Sequence, residues 1–242
     1  MKKAFFLSVA AFLLSTGMFQ ASAQQQASDV IERYERAVGF DRIDFNKTAV
    51  MTRLKVSAMG MEIPCTSIVA PQSRIRVEMT VNGQKVEIIV NGDKGWMSVP
   101  GAGVQAIPQE QIEQMTGQYD VVSSLKWDES NYDFTLLPSE QKAGKQYDVV
   151  RAVPKKPSGA EQTDIYFDHV TGLPALMAIT VDAGGQKVTV ETSVSDYKTA
   201  EGGIKYPSSI KATMNGNPVS SIQIEALEIN YPVTDQMFAE PK

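Results

Sequence analysis

The chain has few of the residues from which catalytic and metal sites are usually built. Its 242 residues include one cysteine and one histidine, which excludes an internal disulfide and a thiolate-rich zinc site. The 23 basic residues are outnumbered by 28 acidic ones, and the formal net charge of −5 argues against nucleic acid as a partner. We predict no metal, no cofactor and no nucleic-acid partner.

The single histidine and the single cysteine both favour a protein that is not an enzyme. His169 lies in a turn between two predicted strands, and the sequence identifies neither a nucleophile nor an orienting partner for a general base. Cys65 shares a predicted strand face with Ile63 and Val69, which indicates a buried and inert thiol. We predict no catalytic residue, and a hydrolase built on His169 stays an alternative.

Residues 1–23 have the three parts of a bacterial secretory signal. Lys2 and Lys3 form a positive segment, an apolar run from Phe5 to Leu14 follows, and Ala21-Ser22-Ala23 is a small-x-small cleavage site. The apolar run is well short of the roughly 20 residues of a spanning helix, and an uncleaved membrane anchor is the alternative. Cleavage removes two lysines and no acids, so the mature net charge falls to −7. We expect a soluble periplasmic protein.

Two helices are predicted in the mature chain, at residues 28–39 and 107–117. In the first, apolar residues recur at helical spacing between Ser28, which can cap the helix, and Gly39, which can end it. In the second, Pro108 suits a helix start and Gly117 suits a helix end.

The rest of the chain has the period of two that is typical of strands with one apolar and one polar face. In one such run Ile75, Val77 and Met79 alternate with polar residues. About twelve such runs are separated by short turns without crossover helices, which predicts an antiparallel meander. No domain boundary is visible, so residues 24–242 are predicted to form one domain.

So many strands should curl, and two or three helices are too few to fill the inside completely. We predict a mainly β (α+β) fold in which the meander curls into an unclosed half-barrel, with movable helices covering a hydrophobic cavity for acyl chains. A fully packed barrel or sandwich without a cavity is the alternative. The predicted wall of the acyl cavity consists of apolar residues on the predicted sheet faces, with the inward face inferred from alternation: Val77, Met79, Ile88, Trp96, Phe134, Leu136, Phe167, Met177, Ile179 and Met214.

Several short motifs resemble those of one known family. They are Val30–Gly39, Asn91–Trp96, Tyr166–Asp168 with Thr171–Pro174, Asp196–Lys198 with Gly203–Pro207, and Phe238 with Pro241. In this order they resemble the first helix, the D-G-K-x-x-W hairpin, two strand–turn motifs and the closing F-x-x-P of LolA-like carriers. These carriers sort outer-membrane lipoproteins in the periplasm, and the chain is most similar to divergent members from Bacteroidetes-type bacteria.

The resemblance implies an unclosed barrel whose helices cover a hydrophobic cavity. It implies a monomeric carrier, or chaperone, that shields the acyl chains of lipoproteins or of another lipid on the way to the outer membrane. The implied partners are an inner-membrane lipoprotein-release transporter and an outer-membrane acceptor. Because one fold serves several functions, an envelope-sensing or protein-interaction module without lipid transport is the alternative.

One departure concerns the cover of the cavity. Well-studied carriers of the family have an Arg-Pro pair after the second or third strand, and its arginine helps to hold the cover closed. The matching place in this chain reads Ala70-Pro71, and Arg74 and Arg76 are out of register with it. The gating role is therefore not transferred to this chain.

Overall fold

A computed structural model of the protein describes residues 26–112, 126–156, 159–182 and 184–241. Over these residues the chain forms thirteen antiparallel strands, with little helix beside them. The predicted mainly β fold class is confirmed. The predicted signal peptide at residues 1–23 lies outside the described residues, as do residues 113–117 of the second predicted helix.

Short connections join consecutive strands from β1 to β6 and again from β7 to β13, as predicted for a meander, whereas residues 107–131 separate β6 from β7. The strands are β1 (Val50–Ala58), β2 (Met61–Ala70), β3 (Arg74–Val81), β4 (Gln84–Asn91), β5 (Lys94–Val99), β6 (Gly103–Ala106), β7 (Tyr132–Lys142), β8 (Lys145–Pro154), β9 (Gln162–Asp168), β10 (Pro174–Asp182), β11 (Lys187–Thr199), β12 (Lys205–Met214) and β13 (Asn217–Ile229). The strand that the sequence did not predict is β6, whose four residues are all exposed and are too few to establish a period of two.

Two compact units make up the chain. Unit 1 comprises the chain up to Ala37 together with Asp128–Thr189, and unit 2 comprises Val38–Trp127 and Val190–Lys242. Each has its own core, described separately below. The assignment of residues 24–242 to one domain stays a prediction.

Unit 1 combines one helix with the four strands β7 to β10. Helix α1 occupies residues 26–38, which confirms the helix predicted at 28–39 and places Ser28 inside it rather than at a cap. It ends where Gly39 adopts a φ of 91°, a left-handed conformation that suits glycine. The strands follow one another in the order β7-β8-β9-β10, each antiparallel to the next.

Unit 2 holds the remaining strands in the order β6-β5-β4-β3-β2-β1-β13-β12-β11. Its β1 pairs on one side with β2 and on the other with β13, the last strand of the chain. A second helical turn, α2, occupies residues 109–112 directly after Pro108, as the sequence predicted for the described part of that helix. Among the described residues, no helix is long and apolar enough to cross a membrane.

The C-terminal residues form a segment that closes one face of the unit 2 sheet. Phe238, at the end of a short 3₁₀ turn (Asp235–Phe238), is fully buried in a cluster with Met51, Ile68 and Ile89. The main chain of this segment is bonded to the sheet, because Arg76 Nη1 donates to the Met237 carbonyl over 2.9 Å. These contacts make the C-terminal segment a permanent part of the core.

Candidate functional site

Five of the ten predicted wall residues lie in unit 1 and share one face of its sheet. The register opposes Leu136 to Val150, Val150 to Ile165 and Ile165 to Met177, and opposed residues of antiparallel strands point to the same face. This face also carries Phe134, Phe167 and Ile179. The two phenylalanines are fully buried, whereas Leu136, Met177 and Ile179 are half-buried.

Helix α1 is docked on this face by an aromatic contact and an ion pair. The rings of Tyr34 and Phe167 lie 5.4 Å apart between centroids, and both side chains are fully buried. One residue earlier, Arg33 Nη2 donates to Asp148 Oδ2 on β8. The movement of this helix as a cover stays a prediction, and these are contacts that such a movement would have to break.

Asp148 also joins the turn that contains the lone histidine. His169 Nδ1 lies 3.0 Å from both carboxylate oxygens of Asp148. Burial alone would raise the pKa of Asp148, but the contacts with Arg33 and His169 hold the pKa of this carboxyl below its ordinary value. A carboxylate that orients histidine is one part of a catalytic triad. Here the same carboxylate binds Arg33, and within the described chain His169 is not bonded to a hydroxyl or thiol.

In unit 2 the structure separates the predicted wall residues onto two faces. Val77 opposes Ile88, and both are buried with Ile107 and Ile112, residues before and within α2. Met79 is half-buried against the same cluster. Trp96 opposes Ile89 and packs instead into the cluster around Phe238, on the opposite face of the sheet from Val77, and its place in the wall of the acyl cavity stays a prediction. The remaining predicted residue, Met214, ends β12 and is 40% exposed.

A cavity of about 460 Å³ lies at the end of the face that carries Val77. Ile75, two residues before Val77 and therefore on the same face, lines it together with Val50 and Val69. Val69 is the register partner of Val50 on one side and of Ile75 on the other. The other walls come from the loop of residues 43–48, from the β2–β3 hairpin and from Lys126. Depressions of about 490 and 530 Å³ elsewhere on unit 2 are more open.

The loop of residues 43–48 is anchored at both ends, which gives the cavity a defined wall. Before the loop, Arg42 Nη1 donates to the carbonyl of Gly203 over 3.3 Å. After it, the Tyr231 amide donates to the carbonyl of Ala49 over 3.0 Å. Inside the loop Asp44 accepts from the Asn46 amide over 3.1 Å, a local turn that fixes the chain where it faces the cavity.

The charged residues of the loop compensate each other. Asp44 Oδ2 lies 3.0 Å from Lys47 Nζ, and the bond to Lys47 holds the pKa of the exposed Asp44 carboxyl below its ordinary value. Lys126 also lines the cavity, and no described residue forms an ion pair with it. The lining therefore combines an apolar floor with a positive group.

The hairpin at the cavity turns without glycine. Gln72 and Ser73 both adopt left-handed backbone conformations, with φ of 66° and 55°, at a cost on the order of 1 kcal/mol each. By contrast, the β3–β4 hairpin uses Asn82 and Gly83 for the same purpose, as the sequence predicted from this pair. Strain of this kind persists where the surrounding structure holds it, often beside a binding site.

Ala70 and Pro71, the pair that differs from the Arg-Pro pair of the family that the sequence resembles, line the cavity. The arginines that follow do not face it. Arg74 Nη1 contacts Asp235 over 3.0 Å and its guanidinium lies 5.1 Å from the centre of the Phe238 ring. Arg74 and Arg76 therefore hold the C-terminal segment on the opposite face of the sheet.

The predicted wall residues Val77 and Met79 lie on the sheet face that ends at this cavity, but they do not line it. Alternation on β3 selected Val77 and Met79, and the same alternation includes Ile75, which the prediction did not select. Nothing in the local pattern brings the loop of residues 43–48 or Lys126 to the hairpin at Gln72, because these contacts join residues distant along the chain. Their convergence is a property of the tertiary fold.

Cys65 lies on the same sheet face, opposite Met79. Burial raises the pKa of its thiol to about 11, so the group is protonated at neutral pH and weakly nucleophilic. Among the described residues, no group of three or more histidine, cysteine, aspartate or glutamate side chains is placed to hold a metal ion.

Comparison with known proteins relates the chain to others by its fold. No family model matches the sequence, and no curated protein matches it. The structure is similar to that of a LolA superfamily protein from Nitrosomonas europaea, with 14% identity, a TM-score of 0.58 and coverage of 88% of this chain and 97% of the other.

Two further solved structures are similar in fold to this chain. One is described as an outer membrane lipoprotein-sorting protein domain, from Vibrio parahaemolyticus, with 13% identity, a TM-score of 0.57 and coverage of 88% and 97%. The other is a DUF1329 family protein from Desulfovibrio piger, with 16% identity, a TM-score of 0.56 and coverage of 87% and 97%. At these identities the likeness establishes a LolA-like fold, and the resemblance read from the sequence motifs is confirmed at that level.

Proposed function

We propose that the protein is a carrier of acyl-chain lipids that works in the bacterial periplasm after export by residues 1–23. The observation that carries this proposal is the cavity beside Ile75, where an apolar sheet face meets an anchored loop. Its volume of about 460 Å³ lies in the range of small-molecule sites. The LolA-like fold supports the assignment.

The physical need for such a carrier is simple. Each methylene removed from water contributes about 0.8 kcal/mol, so free acyl chains do not cross an aqueous compartment unaided. We propose binding without chemical conversion, by a monomer.

The finer proposal is that the chain belongs to the acyl group of a lipoprotein. In that case the protein receives its load from an inner-membrane release transporter and passes it to an outer-membrane acceptor. The solved structure from Vibrio parahaemolyticus, described as a lipoprotein-sorting protein domain, supports this direction. The unclosed fold favours reversible binding, which any transfer requires.

Native mass spectrometry of protein purified from a bacterial periplasm, followed by lipid extraction, tests the proposal. The wild type should carry an acylated ligand or take up a decyl probe. Val69→Asp places a charge in the lining and should weaken uptake about tenfold or more, because an unpaired charge in an apolar site is strongly unfavourable.

The matched control is Val219→Asp. Val219 is 39% exposed and lines a different, more open depression of unit 2, so this variant should bind as the wild type does. Circular dichroism and the melting temperature establish that both variants are folded. Equal binding by both variants would remove the cavity from the proposal.

A second candidate function is supported by an exposed apolar edge at the β1–β2 turn. Met59 is 93% exposed and lies near Met61 and Val219 in one depression. Exposed apolar patches often mark interaction surfaces, so a sensing or protein-interaction module without lipid transport is the competing function. A wild type that carries no ligand and ignores decyl probes would favour it.

Hydrolysis is not proposed, because the carboxylate that would orient His169 is also bound by Arg33. Turnover of ester substrates that disappears in His169→Ala would reverse this judgement.

A further inference from the structure

We propose that the cavity accepts the single chain of an anionic amphiphile, and that Lys126 binds its carboxylate or phosphate head group. The proposal deepens and rests on the proposed function, since it specifies which acyl ligand the carrier prefers. It starts from the unequal distribution of polar groups around the cavity.

The floor of the cavity is apolar and leads along the sheet. Val50, Val69 and Ile75 lie side by side on three neighbouring strands. Ile75 also belongs to the cluster that contains Val77, and Val69 packs against that cluster. A hydrocarbon chain laid on this floor therefore contacts branched side chains along its length, which is where burial of methylenes contributes to affinity.

The rim is polar. Asn46, Gln72 and Ser73 stand around the opening with Asp44 and Lys126. Asp44 is already neutralised by Lys47 at 3.0 Å, whereas no ion pair joins Lys126 to any described residue. Among the described lining residues, the charge that no ion pair offsets is therefore positive, on a protein whose formal net charge is −5.

The positive charge of Lys126 at the rim favours anionic amphiphiles over neutral or cationic ones. An ammonium group close to a carboxylate or phosphate forms a charge-assisted hydrogen bond, while a neutral or cationic head gains nothing from it. The amide and hydroxyl side chains at Asn46, Gln72 and Ser73 can donate to the remaining oxygens of the same head. The cavity thus combines an apolar floor for the chain with the Lys126 ammonium group for the head group.

Calorimetric titration of the full mature protein measures separately how the head group and the hydrocarbon chain of a ligand contribute to binding affinity. The probes are decanoate, decyl phosphate, the neutral decan-1-ol and inorganic phosphate alone. The wild type should bind decanoate and decyl phosphate more tightly than decan-1-ol, and should not bind inorganic phosphate. Lys126→Gln should weaken binding of both anionic probes about three- to tenfold and leave decan-1-ol unchanged.

Three variants sharpen the test. Lys126→Arg keeps the charge and should retain most of the affinity for decanoate. Lys85→Gln makes the same change in net charge at a lysine paired with Glu78 away from this cavity, and should have no effect. Asp44→Asn leaves Lys47 without its partner, which adds positive charge beside the rim and should strengthen decanoate binding, a change of opposite sign.

The outcomes distinguish the two proposals. If Lys126→Gln weakens decanoate and decan-1-ol equally, or changes neither, Lys126 is not the head-group contact, while binding of decan-1-ol still supports an acyl carrier. Binding of inorganic phosphate that depends on Lys126 would assign the site to a free anion and overturn the amphiphile. A wild type that binds none of the decyl probes would overturn both proposals.

Discussion

Unit 1 and unit 2 each have a sheet with one apolar face, but they cover that face differently. In unit 1 the side chains of α1 lie directly on the face, with Tyr34 against Phe167 and Arg33 bound to Asp148. In unit 2 the cover over Val77 is provided by Ile107 and Ile112, and two residues along the strand a cavity of about 460 Å³ begins.

The difference between the two units indicates that alternation of apolar and polar residues along a strand does not by itself create a binding site. Phe134 and Ile75 have the same sequence signature, an apolar residue on the inner face of a strand, and both are almost completely buried. Ile75 also borders a cavity, because its neighbour is an anchored loop rather than a helix. Substitutions in the two units can test this contrast.

The largest effect is expected from removing the aromatic contact in unit 1. Phe167→Ala should reduce the free energy of unfolding by about 3–5 kcal/mol, because a fully buried ring leaves a cavity. Phe45→Ala, at the half-buried rim of the unit 2 cavity, should cost roughly 1 kcal/mol. Urea denaturation followed by circular dichroism measures both. Similar losses for the two variants would break the contrast between a filled and an open face.

An intermediate and pH-dependent effect is expected at Asp148. Asp148→Asn should reduce the free energy of unfolding by about 2–3 kcal/mol at neutral pH, since it leaves Arg33 without its partner. Because the pKa of Asp148 is lowered in the folded state, its contribution is present above the ordinary carboxyl pKa of about 4 and is lost as the pH falls through the folded value.

Melting temperatures from pH 7 down to pH 2 check this second prediction. The difference between wild type and Asp148→Asn should shrink below about pH 4. Asp44→Asn is the control, because Asp44 is exposed and its pairing with Lys47 is screened by solvent. A constant difference across the whole range would show that Asp148 acts through packing rather than charge.

The smallest effect is expected at the strained hairpin. Ser73→Gly should raise the free energy of unfolding by about 0.5–1 kcal/mol, because glycine adopts a positive φ without steric cost. Ser73→Ala keeps the strain and should bring no gain. Both variants are compared by melting temperature. A gain from alanine equal to that from glycine would exclude backbone strain as the cause.

Local features were predictable because they depend on neighbours along the chain. Gly39 ended the first helix, Asn82 and Gly83 formed a tight turn, and Pro108 preceded a helical turn, each for reasons contained in a few residues. The five unit 1 residues from Phe134 to Ile179 share a face because alternation sets the side of a strand. The short run around Trp96 gives no clue to the face that the C-terminal segment covers, so the sequence does not predict the packing of Trp96 against the Phe238 cluster.

The sequence by itself determined the antiparallel meander, the position of the first helix and the resemblance to LolA-like carriers. The tertiary structure alone decided where the apolar face stays uncovered. That decision depends on long-range contacts, such as Arg42 with Gly203 and the Tyr231 amide with Ala49. These contacts bring a loop, a hairpin and Lys126 together around Ile75. The period of a strand sets which side a residue faces, and only packing against distant segments sets what lies opposite it.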